Sequence, residues 1–505
     1  MAASETSMTE SEFQALADAG YNRIAMVSQA FADLETPLSL YLKLTEGGAA
    51  RNTFLLESVV GGERFGRYSF IGLAAGTELR VKGGITRVLR GGVEVERSEQ
   101  PPLAFIEAFR ARHKVALPQG MPRFCGGLAG YFGYDAARYI EPRLQASARR
   151  NPRPDPLDLP DILLLQCEEL AVIDNLSGRL SFIVYADPTQ PDAHARAQAR
   201  LLELRQLLRA SVKAPAMPPA EVTPVEHEFE HADYLRAVVR AKELIAAGDF
   251  MQVQVGQRLR KRFEQSPLSL YRALRTLNPS PYMYLYNFGD FQVVGSSPEI
   301  LVRQEATPEG QKVTIRPLAG TRPRADTQER DLANERELLA DPKERAEHLM
   351  LIDLARNDLG RIARIGTVQV TEAFAIERYS HVMHIVSNVE GLLQPGLGAL
   401  DVMRATFPAG TLSGAPKIRA MEVIDELEPT RRGLYGGAVG YWSFAGDMDL
   451  AIAIRTGIVK EGWLYVQAAA GVVADSVPEM EWRETEAKAR AVLRAAEQVQ
   501  QGLDA

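Results

Sequence analysis

The chain has 505 residues, 46% hydrophobic and 24% charged, an ordinary globular composition long enough for two domains or one large interlocked one. Net charge is −7 with no Lys/Arg-rich block, which excludes a nucleic-acid footprint. No apolar run is long enough to span a bilayer, and two cysteines, Cys125 and Cys167, exclude a disulfide framework or a cysteine-based zinc site.

The start, "MAASETSMTESEF", is acidic and lacks the apolar core of a signal peptide, so a cytoplasmic protein is expected. Residues 1–215 are read as an N-terminal domain. Strand-like pieces there ("FLLESVVGGERFGRYSFIG", "ELRVKGGITRVLRGGVEVE", "LAVIDNLSGRLSFIVYA") alternate with glycine turns, and helices are predicted around 104–113 and 192–210. The Pro- and Ala-rich segment 216–230 reads as a linker, and 231–505 as the second domain. That domain opens with a helix at 231–247, followed by "PYMYLYNFGDFQVVGSS", two alternating runs joined at Gly289-Asp290 as in a hairpin. Late strands "GGAVGYWSF", "DLAIAIRTGIV" and "GWLYVQAAAGVV" precede a C-terminal helix from about Pro478. There is no βαβ period and no internal repeat. The expected fold is α+β: large antiparallel sheets packed as a sandwich, helices outside, N- and C-terminal parts interlocked.

The chemistry-bearing residues concentrate in the second domain. "KERAEHLMLIDLARNDLGRI", from Lys343, reads as a helix whose apolar middle, Leu349 to Leu354, predicts burial. Glu344 and Glu347 then share a face with Met350, Leu351 and Leu354, where a carboxylate needs compensation. On the C-terminal helix Glu481, Glu484 and Lys488 fall on one side. They read either as an i,i+4 pair on a solvated face or as a second source of carboxylates. In the second case two helices offer oxygens to one hard cation, which suits Mg²⁺. "FPAGTLSGAPKIRAMEVIDELEP" reads as a hydroxyl-rich loop entering a helix, either an anion cradle or an ordinary start capped by Ser413. Arg455 shares a strand face with Ala451 and Ala453, which leaves room for a bound carboxylate, although a surface arginine fits equally. His384 sits among Met383, Ile385 and Val386 as a core histidine or a catalyst. No GxSxG, Walker or HExxH motif occurs.

Together these segments resemble the chorismate-utilising enzymes, and within them the anthranilate synthase large subunits. The resemblance rests on "LLES" with "GRYS", "GDFMQV", "PSPYMYLY", "GSSPE", "IRPLAGTRPR", the helix from Lys343, "YSHVMHIVS", the loop from Phe407, "GGAVGYWSF", "DLAIAIRTG" and "VVADSVPEMEWRET", all in family order. It implies Mg²⁺ on Glu347 and Glu484, with Glu344 as an additional ligand. It implies that Arg455 and Tyr435 hold the enolpyruvyl side chain of chorismate, and that Gly320, Thr321, Ala469, Ala470 and Gly471 line the pocket. Lys488 stands by the metal-bound carboxylate. Glu299 is the implied general acid that lets hydroxide leave, Thr411 helps position the ring, and His384 serves the later loss of pyruvate.

Sister enzymes that use water carry a lysine where this chain has Gln252, and aminodeoxychorismate synthases carry one where it has Ala319. Both differences favour an ammonia-using, anthranilate-forming enzyme. The alternatives are an aminodeoxychorismate or aminodeoxyisochorismate synthase component and, in another class, a non-catalytic amino-acid-binding regulator. Relatives have "QAGAG" where this chain reads "QAAAG", so Ala469 is expected to cost something if its backbone needs positive φ. His381 stands where relatives often have an aromatic and is given no function. The resemblance also implies feedback inhibition by L-tryptophan, bound by Leu56, Glu57, Ser58, Pro281, Tyr282 and Met283 and closed by Val439, Gly440 and Tyr441, with a carboxylate meeting the amino group. Neither cysteine resembles the nucleophile turn of a glutaminase, so a separate glutamine amidotransferase subunit is expected to supply ammonia.

Overall fold

Two large sheets dominate the computed structural model, which describes residues 8–59, 66–215, 219–379 and 382–503. Among these residues one sheet has 13 strands and the other 12. Their ladders are antiparallel except for a two-residue parallel pairing of Arg23–Phe31 with Val115–Ala116. Residues 216–218 of the expected linker, and His381, lie outside the described residues. Just after that gap, Glu226–His227 forms the edge strand of the first sheet against Gln252–Arg262.

Both halves of the chain build both sheets. In the first, Thr53–Glu57 pairs on one side with Tyr68–Gly72 and on the other with Tyr282–Asn287. In the second, Gly127–Phe132 lies between Ile162–Cys167 and Ala438–Ser443. The sheets pack face to face over an aromatic core that includes Phe54, Phe124, Tyr131, Tyr286 and Tyr441. Helices Pro267–Leu277 and Pro478–Gln501 cover the outer face of the first sheet through Leu270, Leu274, Val492 and Ala496. Helices Pro342–Gly360 and Ala399–Thr406 cover the second through Ile352, Leu359 and Met403, while Lys417–Leu427 packs through Met421 on strand Gln252–Arg262 of the first. Central strands are therefore buried on both faces, as in Gly127–Phe132 and Ile162–Cys167. They do not show the apolar–polar alternation of a sheet with one wet side.

Three local expectations change. The Pro342–Gly360 helix is not buried all round: Leu349 is 52% exposed, and only Leu351, Ile352, Ala355 and Leu359 supply its core stripe. Arg455 is not on a strand face. It lies between strands Met448–Ile452 and Thr456–Lys460, with φ of 51°. Ser413 does not cap the following helix, because its hydroxyl donates to Ala409 O at 3.0 Å.

Candidate active site

The chain passes from one sheet to the other at two neighbouring points. Strand Gln292–Ser297 of the first sheet leads through Pro298 and Glu299 into Ile300–Thr307 of the second. Met448–Ile452 of the second leads through Arg455 into Thr456–Lys460 of the first. The two crossovers are stitched together: Ser296 N–H donates to Arg455 O at 3.1 Å and Ile452 N–H to Glu299 O at 3.0 Å. Backbone pairing thus holds together the two crossovers that carry Glu299 and Arg455.

Each is electrostatically unusual. Glu299 is buried, and burial pushes its pKa up to about 8, opposed by the Thr411 hydroxyl and by Lys488. Thr411 Oγ1 donates to Glu299 Oε1 at 3.2 Å. The Arg455 guanidinium makes no hydrogen bond or ion pair among the described residues. Burial pulls its pKa down, while Tyr435 and Glu484 nearby favour the cation. A part-buried cation without a partner gains when an anion arrives to meet it.

The other expected residues join the same cluster. Lys488 Nζ donates to Ala469 O at 2.9 Å and pairs with Glu484 at 2.7 Å. Tyr435 is buried, which raises its pKa, with Arg432 and Arg455 opposing. His384 Nδ1 lies 2.9 Å from Gly320 O and 3.1 Å from Thr321 Oγ1. A carbonyl can only accept, so Nδ1 carries the proton in this arrangement and Nε2 offers a lone pair. Burial lowers the His384 pKa to about 4, so the ring is neutral at physiological pH. Gly320 has φ of +70°, and a Cβ there would stand 3.2 Å from Glu344 Oε2, which places the first carboxylate beside the histidine strand. Gln252 Nε2 reaches Glu347 Oε1 at 3.5 Å, and its strand pairs with the one carrying Ala469, Ala470 and Gly471. Ala469 has no positive φ and faces Gly256 in register, so the extra methyl is accommodated by the missing side chain opposite.

The carboxylates answer to charge. Burial and then Glu347 raise the Glu344 pKa, against Arg322 at 3.5 Å. Burial raises that of Glu481, the residue one turn before Glu484, and its opposing cations are Lys488 and Lys343. Lys343 belongs to the other helix, so the starts of Pro342–Gly360 and Pro478–Gln501 face each other. No group of three or more acidic, His or Cys side chains converges tightly enough to hold a metal among the described residues. The donor set still fits a hard cation that uses one or two carboxylates and completes its shell with substrate and water. Sequence reasoning left Glu481 open between a solvated face and a source of carboxylates, and gave no role to Tyr379, whose ring lies 5.5 Å from His384 and whose hydroxyl donates to Glu377. Tyr379 opens the motif "YSHVMHIVS", which was the available signal.

A second pocket of about 530 Å³ lies between the halves of the chain. It is lined by all of Leu56, Glu57, Ser58, Pro281, Tyr282, Met283, Val439, Gly440 and Tyr441. Its charges are internally paired. Glu57 accepts from Arg275 at 2.7 and 3.0 Å and from the Tyr271 hydroxyl, so any ligand ammonium meets a carboxylate already held by a guanidinium. Asp449 is held by Arg303 and by Tyr282 OH. The pocket's strands adjoin those of the first site: Tyr282 pairs with Ser297 two residues before Glu299, and Val439 pairs with Ala451 four residues before Arg455.

Residues 54–494 match the model of the chorismate binding enzyme family, and the chain belongs to that family. Within it, the chain is 56% identical over 497 residues to anthranilate synthase component 1 of Neisseria meningitidis, covering 98% of this chain and 100% of the relative. It is 55% identical over 507 residues to the Pseudomonas aeruginosa protein of the same name, with the same coverage. The crystal structure of anthranilate synthase component I from Streptococcus pneumoniae superposes with a TM-score of 0.73 at 36% identity, covering 86% of this chain and 94% of that one.

Proposed function

We propose that this chain is the chorismate-converting component of an anthranilate synthase, forming anthranilate and pyruvate from chorismate and ammonia. The observation that carries this reading is the stitched pair of crossovers: one carries a part-buried guanidinium with no partner among the described residues, the other a buried carboxylic acid with a pKa of about 8. The guanidinium suits the enolpyruvyl carboxylate. A carboxyl still largely protonated at neutral pH suits protonation of a departing hydroxyl.

In the first step ammonia bonds to the ring carbon next to the carboxylate, the ring double bonds shift, and the distal hydroxyl leaves as water with the proton of Glu299. Thr411 holds that carboxyl in place. In the second step the ring carbon bearing the new amine loses its proton, the ring becomes aromatic, and the enolpyruvyl group departs as pyruvate. His384 Nε2, neutral and oriented by Gly320 O, stands as the proton acceptor. Glu347 and Glu484, with Glu344 beside them, are the residues that would hold Mg²⁺, which when bound neutralises the ring carboxylate. Gln252 and Ala319 lack the amine that sister enzymes use to activate water or attack the ring, which favours ammonia as nucleophile. Ammonia is taken to come from a separate glutamine amidotransferase subunit.

The second pocket is read as the L-tryptophan site of a feedback-inhibited first step in tryptophan synthesis. It has apolar walls for an indole, and strands that lead directly to Glu299 and Arg455. No helix among the described residues is long and apolar enough to cross a membrane, in keeping with a cytoplasmic biosynthetic role. The test is to mix the chain with chorismate, Mg²⁺ and an ammonium salt and follow anthranilate fluorescence with and without tryptophan. Growth that needs Mg²⁺ and falls with tryptophan supports the reading. Chorismate loss without anthranilate points to an aminodeoxychorismate-type enzyme, and no loss at all to a non-catalytic binding protein.

A further inference from the structure

The ion pair between Arg432 and Glu428 has no part in the chemistry described so far. Its side chains are only 1% and 3% exposed. Either charge alone would be expensive there. Every bond of the pair is short and directed: Arg432 Nη2 donates to Glu428 Oε1 at 2.7 Å and Nε to Oε2 at 3.0 Å. The remaining donors reach main chain, with Nη1 to Leu412 O at 2.6 Å and Nη2 to Gln254 O at 3.0 Å. Glu428 Oε1 in turn accepts Gly256 N–H at 2.7 Å. A Cβ at position 256 would stand 2.9 Å from that oxygen, which accounts for a glycine inside a strand. The guanidinium carbon lies 4.6 Å from the Tyr134 ring centre and 5.7 Å from that of Tyr435.

Each tie lands beside a residue of the site. Leu412 follows Thr411. Gln254 lies on the strand of Gln252, pointing to the same face. Gly256 opposes Ala469. Tyr435 N–H donates to Arg432 O at 3.3 Å. The same loop rests on the first half of the chain, where Asp135 Oδ2 accepts Gly433 N–H at 3.0 Å and Tyr134 N–H donates to Gly433 O at 2.7 Å.

We propose that Arg432 and Glu428 are positioning residues for the reaction. One buried charge pair clamps the Thr411 turn, the Gln252–Arg262 strand and the Tyr435 loop in fixed register, so that Thr411 presents its hydroxyl to Glu299. The planar guanidinium supplies several donors at set angles and so ties separate segments with one side chain; a lysine, with a single point charge, cannot. The other titratable groups facing Glu299 are Lys488, Tyr379 and, across the cavity beside it, Asp358. None of them touches the clamp, so its effect on Glu299 is transmitted by Thr411. The inference rests on the reading of Glu299 as the acid.

The test uses the full chain carrying Arg432→Lys, and separately the charge-free double variant Glu428→Gln/Arg432→Met, assayed with chorismate, Mg²⁺ and ammonium salt. The expected result is a kcat lower by about 10- to 100-fold, with the KM for chorismate changed far less. The alkaline limb of the kcat profile also moves to higher pH, because a loosened Thr411 no longer holds the Glu299 pKa down. Thr411→Val alone gives the same displacement, and adding Arg432→Lys to it shifts the limb little further. Folded variants with unaltered kcat and limb overturn the proposal, as does an additive combination. Full activity in a Glu299→Gln chain overturns instead the acid reading beneath it. If Arg432→Lys does not fold, the double variant decides, since neutral replacement of a buried pair is commonly tolerated.

Discussion

The two pockets of this molecule handle charge in opposite ways. In the first, Arg455 has no partner among the described residues, Glu299 has only a hydroxyl, and Glu347 crowds Glu344, although Arg322 and Lys488 partly offset Glu344 and Glu484. In the second, Glu57 is closed by Arg275 and Tyr271, and Asp449 by Arg303 and Tyr282. The unmet guanidinium stores a demand that a substrate carboxylate can satisfy, and the crowded carboxylates one that a hard cation can satisfy, which suits catalysis by electrostatic complementarity. Internally satisfied charge gives a pocket that is stable when empty, where a ligand would gain mainly from apolar contact. The strands that line the second pocket run on, or pair with strands that run on, to Glu299 and Arg455, and on the proposed reading this is the route by which a ligand there would be felt.

Breaking the first pocket should have the largest effects. Glu299→Gln removes the proton that hydroxide needs, and kcat is expected to fall roughly 10²–10⁴-fold while tryptophan binding, followed by calorimetry, is kept. Retained turnover would undo the contrast. Arg455→Met, which removes a charge-assisted contact worth about 1.5–3 kcal/mol, should lower kcat/KM for chorismate by roughly 10- to 150-fold, mainly through KM.

The pH profile sharpens the same point. Glu299 acts when protonated and its pKa is raised to about 8, so at a fixed concentration of free ammonia kcat/KM should be level at neutral pH and fall as pH rises through about 8. A limb near the ordinary carboxylate range would show that burial does not set this group.

Changes in the second pocket should be smaller and confined to regulation. Ser58→Ala should weaken tryptophan inhibition several-fold, the worth of a hydrogen bond of about 1 kcal/mol, with uninhibited kcat unchanged. Full retention of tryptophan sensitivity would remove Ser58 from the ligand. Least of all, Ala469→Gly should leave kcat near its starting value and cost roughly 0.5–1 kcal/mol in denaturant unfolding, because this alanine sits on an ordinary strand opposite Gly256.

Most elements could be read directly. The Gly289-Asp290 hairpin, the helix His231–Ala246 and the C-terminal helix from Pro478 follow from alternation, helical period and turn residues, all local signals. The second pocket was legible as a set of motifs, and its residues do meet. What misled was locality itself. Arg455 looked like part of a strand because its neighbours alternate, but the chain turns between sheets there. Glu481 looked solvated because its own helix explained it, while Lys343, which faces it, comes from more than a hundred residues away.

The sequence by itself determined the elements, the α+β class and, by resemblance, the inventory of acids, bases and cations. Only the tertiary structure decided which charges go unmet. That is a property of pairing across sheets and of burial: the hydrogen bonds between two crossovers, the closure of Glu57 by a distant helix and the clamp at Arg432 all join residues far apart in the chain. A pattern of side chains along a chain carries their chemical type. It does not carry the solvent removed from them or the partner brought to them, and those two quantities set the energies on which the site depends.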